Sequence, residues 1–194
     1  MDRTIEYYDN NSEEYIGNTI NYDLEEIADD FLTHIPSGGI ILDAGCGSGR
    51  DSLYFTKKGY KCILLDASIN MCEYAHELTG CEYQNKFFTD IDEVDAYDGI
   101  WASASMLHVP YEQQHIVWKK FYKAVRPTGV IFASYYFGRG SHFDKGRYFY
   151  DTNGDDISDI IKQSGQWDNI EVWMSKELRD GRQQMWTNIF AIKK

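Results

Sequence analysis

Short apolar runs alternate along the chain with polar stretches in which apolar residues recur at helical spacing. Ile40-Ile41-Leu42, Cys62-Ile63-Leu64-Leu65, Gly99-Ile100-Trp101-Ala102 and Val130 to Tyr136 are too short for helices and are predicted as buried strands. Asn21 to His34 sets Tyr22, Leu24, Ile27, Ala28, Phe31 and Leu32 at helical spacing, and Pro36-Ser37-Gly38-Gly39 ends it. Further helices are predicted from Gly49 to Lys58, from the Ser68 cap to Leu78, from Tyr111 to Val125 and from Asp155 to Gln163. Gly59, Thr79-Gly80 and Arg126-Pro127-Thr128-Gly129 are their stop signals. A weaker strand lies near Cys81 to Gln84 or Lys86 to Phe88, and Asp90 to Asp98 reads as a solvated acidic loop. Strand and helix in alternation imply an α/β fold with a mostly parallel sheet and right-handed crossovers. The C-terminal end departs from this. Ile170 to Ser175 and Trp186 to Ile192 flank Asp180-Gly181, a hairpin signal, so the last two strands are predicted antiparallel. The first twenty residues are polar and tyrosine-rich, and nothing along the chain reads as a linker or repeat. Residues 1–194 are therefore expected to form a single domain.

The stretch Asp43-Ala44-Gly45-Cys46-Gly47-Ser48-Gly49 follows the first predicted strand and opens a helix. Glycine lets the backbone turn tightly and approach a ligand without a Cβ between them. A strand, a glycine turn and a helix N-terminus make a nucleotide-binding corner. Asp66 ends the next strand, where a carboxylate can accept from both hydroxyls of a ribose. A nicotinamide site requires G-x-G-x-x-G or a final Ala, and Arg50 stands at that last position.

The pattern present, D-x-G-x-G-x-G, resembles motif I of the class I S-adenosylmethionine (SAM) methyltransferases. The resemblance implies a Rossmann-like, mostly parallel seven-stranded sheet with helices on both faces and a C-terminal antiparallel β-hairpin. It implies SAM as cofactor. Asp43 would face the methionine ammonium, Ala44, Gly45, Gly47 and Gly49 would pass beneath the cofactor, and Asp66 would hold the ribose. Ala67, Ser68 and Met71 would flank the adenine, and Asp90 or the backbone of Ile91 would meet its amine. Ser103, at the end of the fourth strand, completes the expected cofactor set. Tyr97 to Pro110, Gly146 to Thr152, and Leu178 to Arg182 with Trp186 to Ile189 resemble the small-molecule and tellurite-resistance-type subgroup. Similar proteins cover the cofactor with an N-terminal segment. Residues 1–35 are therefore expected to form a helical lid that brings Tyr8 and Tyr15 over SAM.

The net charge of −12 argues against a nucleic-acid partner, which needs Lys and Arg on phosphate. No run reads as a signal peptide or membrane span, so a cytoplasmic protein away from membranes is expected. Cys46, Cys62, Cys72 and Cys81 have no zinc spacing, and no metal is expected. There is no G-x-S-x-G elbow, no P-loop, and no Asp/Asn-Pro-Pro-Tyr motif of a DNA amino-methyltransferase after the fourth strand.

Methyl transfer from a sulfonium needs chiefly alignment, and a base only when the acceptor must lose a proton. His108, at the ligand-binding edge of the fourth strand, is the candidate base; its other reading is a hydrogen-bonded loop histidine. Tyr136, Arg147, Tyr148, Arg182 and Trp186 are the candidate acceptor-binding residues. Arginines suit a carboxylate or oxyanion, and the rings suit the sulfonium or the core. The leading expectation is an enzyme, monomeric or homodimeric, that methylates a small and possibly anionic molecule. The alternatives are a SAM-binding sensor or partner subunit without activity and, with less support, a nicotinamide oxidoreductase.

Overall fold

The computed structural model describes residues 2–22, 24–179 and 182–194, and of Asp2, Leu178, Arg179 and Arg182 it describes only the backbone. Three helices come first: α1 (Asp2–Asn10), α2 (Ser12–Thr19) and α3 (Glu25–Thr33). The alternating part follows as β1 (Ile40–Ala44), α4 (Arg50–Lys57), β2 (Lys61–Asp66), α5 (Ile69–Thr79), β3 (Glu82–Asn85), β4 (Tyr97–Ala102), α6 (Tyr111–Ala124) and β5 (Val125–Tyr136). A small hairpin, β6 (Gly140–Asp144) and β7 (Arg147–Asp151), precedes α7 (Asp155–Ser164), and β8 (Trp167–Arg179) and β9 (Arg182–Lys193) finish the chain. The main sheet has seven strands in the order β3-β2-β1-β4-β5-β9-β8. The first five are parallel, and β9 runs antiparallel to both β5 and β8.

Residues on successive strand positions face opposite layers, which explains the unbroken apolar runs. Leu42, Leu65, Ile100, Ala102, Ile131 and Ala133 pack beneath Val117, Trp118 and Phe121 of α6 and Ile157 and Ile161 of α7. Ile41, Leu64, Trp101, Val130 and Phe132 pack on the other side against Phe31 of α3, Phe55 of α4 and Ala75 of α5. Trp101 is fully buried, stacked 4.2 Å from Phe132, with its indole N–H on Asp51 at 2.8 Å.

The predicted elements recur with shifted ends. The tyrosine-rich start is helical, and the helix expected from Asn21 begins at Glu25. β5 begins five residues early because Arg126 to Gly129 bulges rather than ending the pairing; Tyr97 pairs with Val125 and Gly99 with Val130. Within that bulge Thr128 takes a positive φ of 64°. The β6–β7 hairpin was not predicted. Lys145 and Gly146, with φ of 50° and 86°, form its two-residue turn. The predicted turn at Asp180-Gly181 lies outside the described residues.

Candidate active site

The glycine corner is built at the C-terminal edge of β1. Gly45 and Cys46 both donate to Leu65 O, at 2.7 and 3.0 Å, so the turn after β1 is fastened to the end of β2. Gly45 has φ +82°, and a Cβ there would stand 2.3 Å from Ser105 Cβ. Asp66 completes the corner. Its Oδ2 accepts from Gly47 N–H at 3.1 Å and its Oδ1 from Ser68 N–H at 2.9 Å. Desolvation pushes its carboxyl up to about 6, and further hydrogen-bond donors would favour its charged form.

These residues floor a cleft that opens to solvent. Gly45, Gly47, Asp66, Ala67 and Met71 line one end, and Ser103, Ala104, Ser105 and His108 line the β4 side. Tyr8 and Tyr15 close it from α1 and α2, their rings 5.0 Å apart. The covering helices are anchored on β7 and on the starts of α4 and α5. Thr4 Oγ1 accepts from Tyr148 N–H at 2.9 Å, Ser68 Oγ donates to Asp9 at 2.5 Å, and Arg50 reaches Thr19 O at 3.2 Å. Arg50, which breaks the nicotinamide pattern, thus ties α2 to the start of α4 while paired with Asp51 at 2.6 Å.

Nine of the expected site residues meet here: Tyr8, Tyr15, Gly45, Gly47, Asp66, Ala67, Met71, Ser103 and His108. Other expected cofactor residues stand behind the lining. Asp43 is 3% exposed, with Oδ2 accepting from Ser52 Oγ at 2.7 Å, and burial together with Asp51 pushes it up to about 7. It braces the turn from below. Ala44 is core, and its carbonyl accepts from Ser105 Oγ at 2.7 Å. Gly49 caps α4 against Ala75, and Ser68 is the buried cap of α5. Ile91 is fully buried and Asp90 is exposed, and neither is among the residues that line the cleft. Phe87, Phe88 and Thr89, just before them, line it instead.

Sequence reasoning also missed Gln113 and Val117, which α6 presents to the cleft. Gln113 sits one residue from the core residue Gln114 and reads as a surface position of a helix. Its Oε1 is buried without a hydrogen-bond partner, a free acceptor suited to an amine. The glycine floor, the Asp66 carboxylate and the Gln113 acceptor together fit an adenosine-bearing cofactor.

The expected acceptor residues separate. Arg147 lies behind Tyr7 and Tyr8, its guanidinium carbon 4.6 and 6.0 Å from their ring centres and 5.0 Å from Phe149. One terminal nitrogen reaches Asp144 at 3.0 Å, and Nε is buried without a partner. Tyr148 contributes its backbone, binding Thr4 and His108. Tyr136 packs between Phe149 and Trp186, at 5.5 and 4.7 Å. Trp186 belongs to a second, open groove of about 1740 Å³, with Phe132, Trp173, Ser134, Ser175 and Asn188. The Arg182 side chain lies outside the described ones. The groove and the cleft share Ser103 and Ala104.

Comparison with known proteins agrees with this geometry. The family model described as a methyltransferase domain matches residues 41–129, from β1 into β5. Residues 41–129, somewhat less than half of the chain, are thus similar to a methyltransferase domain. A curated relative, the malonyl-[acyl-carrier protein] O-methyltransferase of Salmonella typhimurium, is 27% identical over 95 residues, 47% of this chain and 36% of the relative. The matches to curated relatives span 36–37% of those proteins' own length. Among solved structures, the 1,6-didemethyltoxoflavin-N1-methyltransferase of Burkholderia thailandensis superposes with a TM-score of 0.77 at 14% identity. It covers 98% of this chain and 85% of its own. TehB from Haemophilus influenzae gives 0.72 at 17% identity, over 94% of this chain and 67% of its own. Identities this low speak for the fold. Among the described residues no helix is long and apolar enough to cross a membrane.

Proposed function

We propose that this protein is a SAM-dependent methyltransferase, and that it acts on a small molecule that enters the open groove and meets the cofactor at Ser103 and Ala104. The observation that carries the reading is that shared wall. The cleft over β1, β2 and β4 and the groove over β5, β9 and β8 join where β4 ends. Ser134 Oγ accepts from Ala104 N–H at 2.7 Å and holds the junction rigid. When bound, SAM supplies a methyl group already activated by its sulfonium. Asp66 holds the ribose, Gly45 and Gly47 let the cofactor lie against the backbone, and Met71 and Phe88 border the adenine. Residues 1–35 act as the lid.

The groove offers an aromatic face from Phe132, Trp173 and Trp186 with hydroxyl and amide groups between, the lining of a small-molecule site. Arg147, with its unpaired Nε, supports an anionic group on the acceptor near the lid. Glu26, Asp30 and Glu171 on the groove favour a neutral or cationic far end. The test is release of S-adenosylhomocysteine from SAM across a panel of small carboxylates, amines and thiols, with Trp186→Ala as the groove variant. Turnover that Trp186→Ala slows through a raised acceptor KM supports the placement. Unchanged acceptor KM in a folded variant removes it.

A further inference from the structure

A chain of hydrogen bonds runs from the cleft to the backbone. Tyr148 O accepts from His108 Nδ1 at 2.7 Å, so that ring carries its proton on Nδ1 and has a bare lone pair on Nε2. Tyr8 Oη stands 2.8 Å from Nε2 and therefore donates to it. The basic nitrogen of His108 is thus already occupied. The oxygen left to face a bound molecule is that of Tyr8, which lines the cleft and also lies within reach of the Arg147 guanidinium.

We propose that Tyr8 takes the proton from the methyl acceptor and that His108 is a positioning residue which receives the phenolic proton in turn. This rests on the methyltransferase reading. As the acceptor atom's lone pair bonds to the methyl carbon, the carbon–sulfur bond breaks and its electrons stay on the thioether sulfur. The acceptor's proton moves to Tyr8 Oη, and Tyr8's own proton moves to His108 Nε2. One positive charge is present before, on sulfur, and one after, on the imidazolium. The relay conserves the charge of the enclosed site, which is the condition a poorly solvated cleft imposes.

The surroundings hold both groups neutral at rest. Burial pushes His108 down to about 4, with the Arg147 guanidinium adding to the effect. Burial and Tyr15 push the Tyr8 phenol well up, against a lowering by Arg147. The facing groups are Tyr7 on α1, Tyr15 on α2, Asp66 at the end of β2 and Arg147 on β7, with the Phe149 ring 4.8 Å from His108. A bound sulfonium disfavours a second cation beside it, and its loss on transfer releases the imidazole to accept a proton.

The deciding experiment is a ¹⁵N-histidine NMR titration of the whole protein, with His108 assigned by His108→Gln. It is run in the SAM complex and in the S-adenosylhomocysteine complex, after calorimetry has shown that each binds. Expected are the Nδ1–H tautomer in both and a His108 pKa higher by about one unit or more without the sulfonium. An Nε2–H tautomer, or equal pKa values in the two complexes, overturns the relay. Failure of SAM to bind would instead retract the methyltransferase reading. In turnover, phenol serves as a probe with a proton to lose and iodide as one without. Tyr8→Phe should slow phenol methylation by roughly 10²- to 10⁴-fold more than it slows iodide methylation. Equal losses on both probes overturn the assignment of Tyr8.

Discussion

Replacing Asp66 by Ala removes the one carboxylate that lines the cleft among the described residues, and one that also shapes its floor. Oδ1 and Oδ2 each hold one backbone N–H, at 2.9 and 3.1 Å, and the carboxylate keeps further lone pairs for ligand hydroxyls. A hydrogen bond to a charged group contributes about 1.5–3 kcal/mol. At about 1.4 kcal/mol per decade, SAM affinity should fall roughly 10- to 100-fold. The pH dependence gives a second readout. Burial holds the free carboxyl at about 6, and hydroxyl donors favour its charged form, so binding lowers that value. Affinity should therefore be full above pH 6 and decline as pH falls through it, about tenfold per unit, until the bound form is also protonated. Calorimetry from pH 5 to 8 checks both effects, with circular dichroism to show that the variant is folded. Unchanged affinity in folded Asp66→Ala, or a wild-type affinity flat across that range, would refute the assignment of Asp66 to the cofactor.

Gly45→Ala should abolish SAM binding or folding, because its Cβ would lie 2.3 Å from Ser105 Cβ at a φ of +82°; calorimetry and thermal melting read the two apart. Asp43, held at about 7, costs stability when charged, so the free protein should gain about 1 kcal/mol between pH 8 and pH 6.5. Urea unfolding should show that gain and Asp43→Asn should flatten it; a loss of stability over the same interval would reverse the sign. Arg147→Ala should raise the KM of a carboxylate acceptor about tenfold or more and leave SAM affinity nearly intact; steady-state kinetics with both substrates varied distinguishes this from a lid defect, which would raise both.

The parallel core was legible because a strand buried on both faces has nowhere to put a polar residue. Ile41 and Leu42, or Ile100 and Trp101, face opposite layers and both are apolar. The glycine corner was legible for a local reason: Gly45 and Gly47 need positive φ, and Asp66 must end a strand. The N-terminal helices were legible through the family resemblance and not through local periodicity, since α1 sets Thr4 and Tyr8 against β7 and His108, contacts that no local pattern announces. The β6–β7 hairpin was hidden because all five β6 residues are exposed and lack alternation. Lys145-Gly146 between Asp144 and Arg147 was the available signal. Asp43 lies beneath the turn because position along a strand does not say which side chain a turn leaves below it. Gln113 needed the tertiary structure, as only the packing of α6 on the cleft separates it from a surface glutamine.

The central claim is that this cleft binds SAM and spends its methyl group on a molecule in the neighbouring groove. The most direct measurement is mass-spectrometric detection of S-adenosylhomocysteine and a methylated product from SAM and a small-molecule panel, run beside Asp66→Ala. The account predicts both products in wild type and a marked loss of both in the variant at limiting SAM. SAM bound by wild type with neither product formed across the panel would contradict it, and would make the protein a binder of SAM without transfer activity.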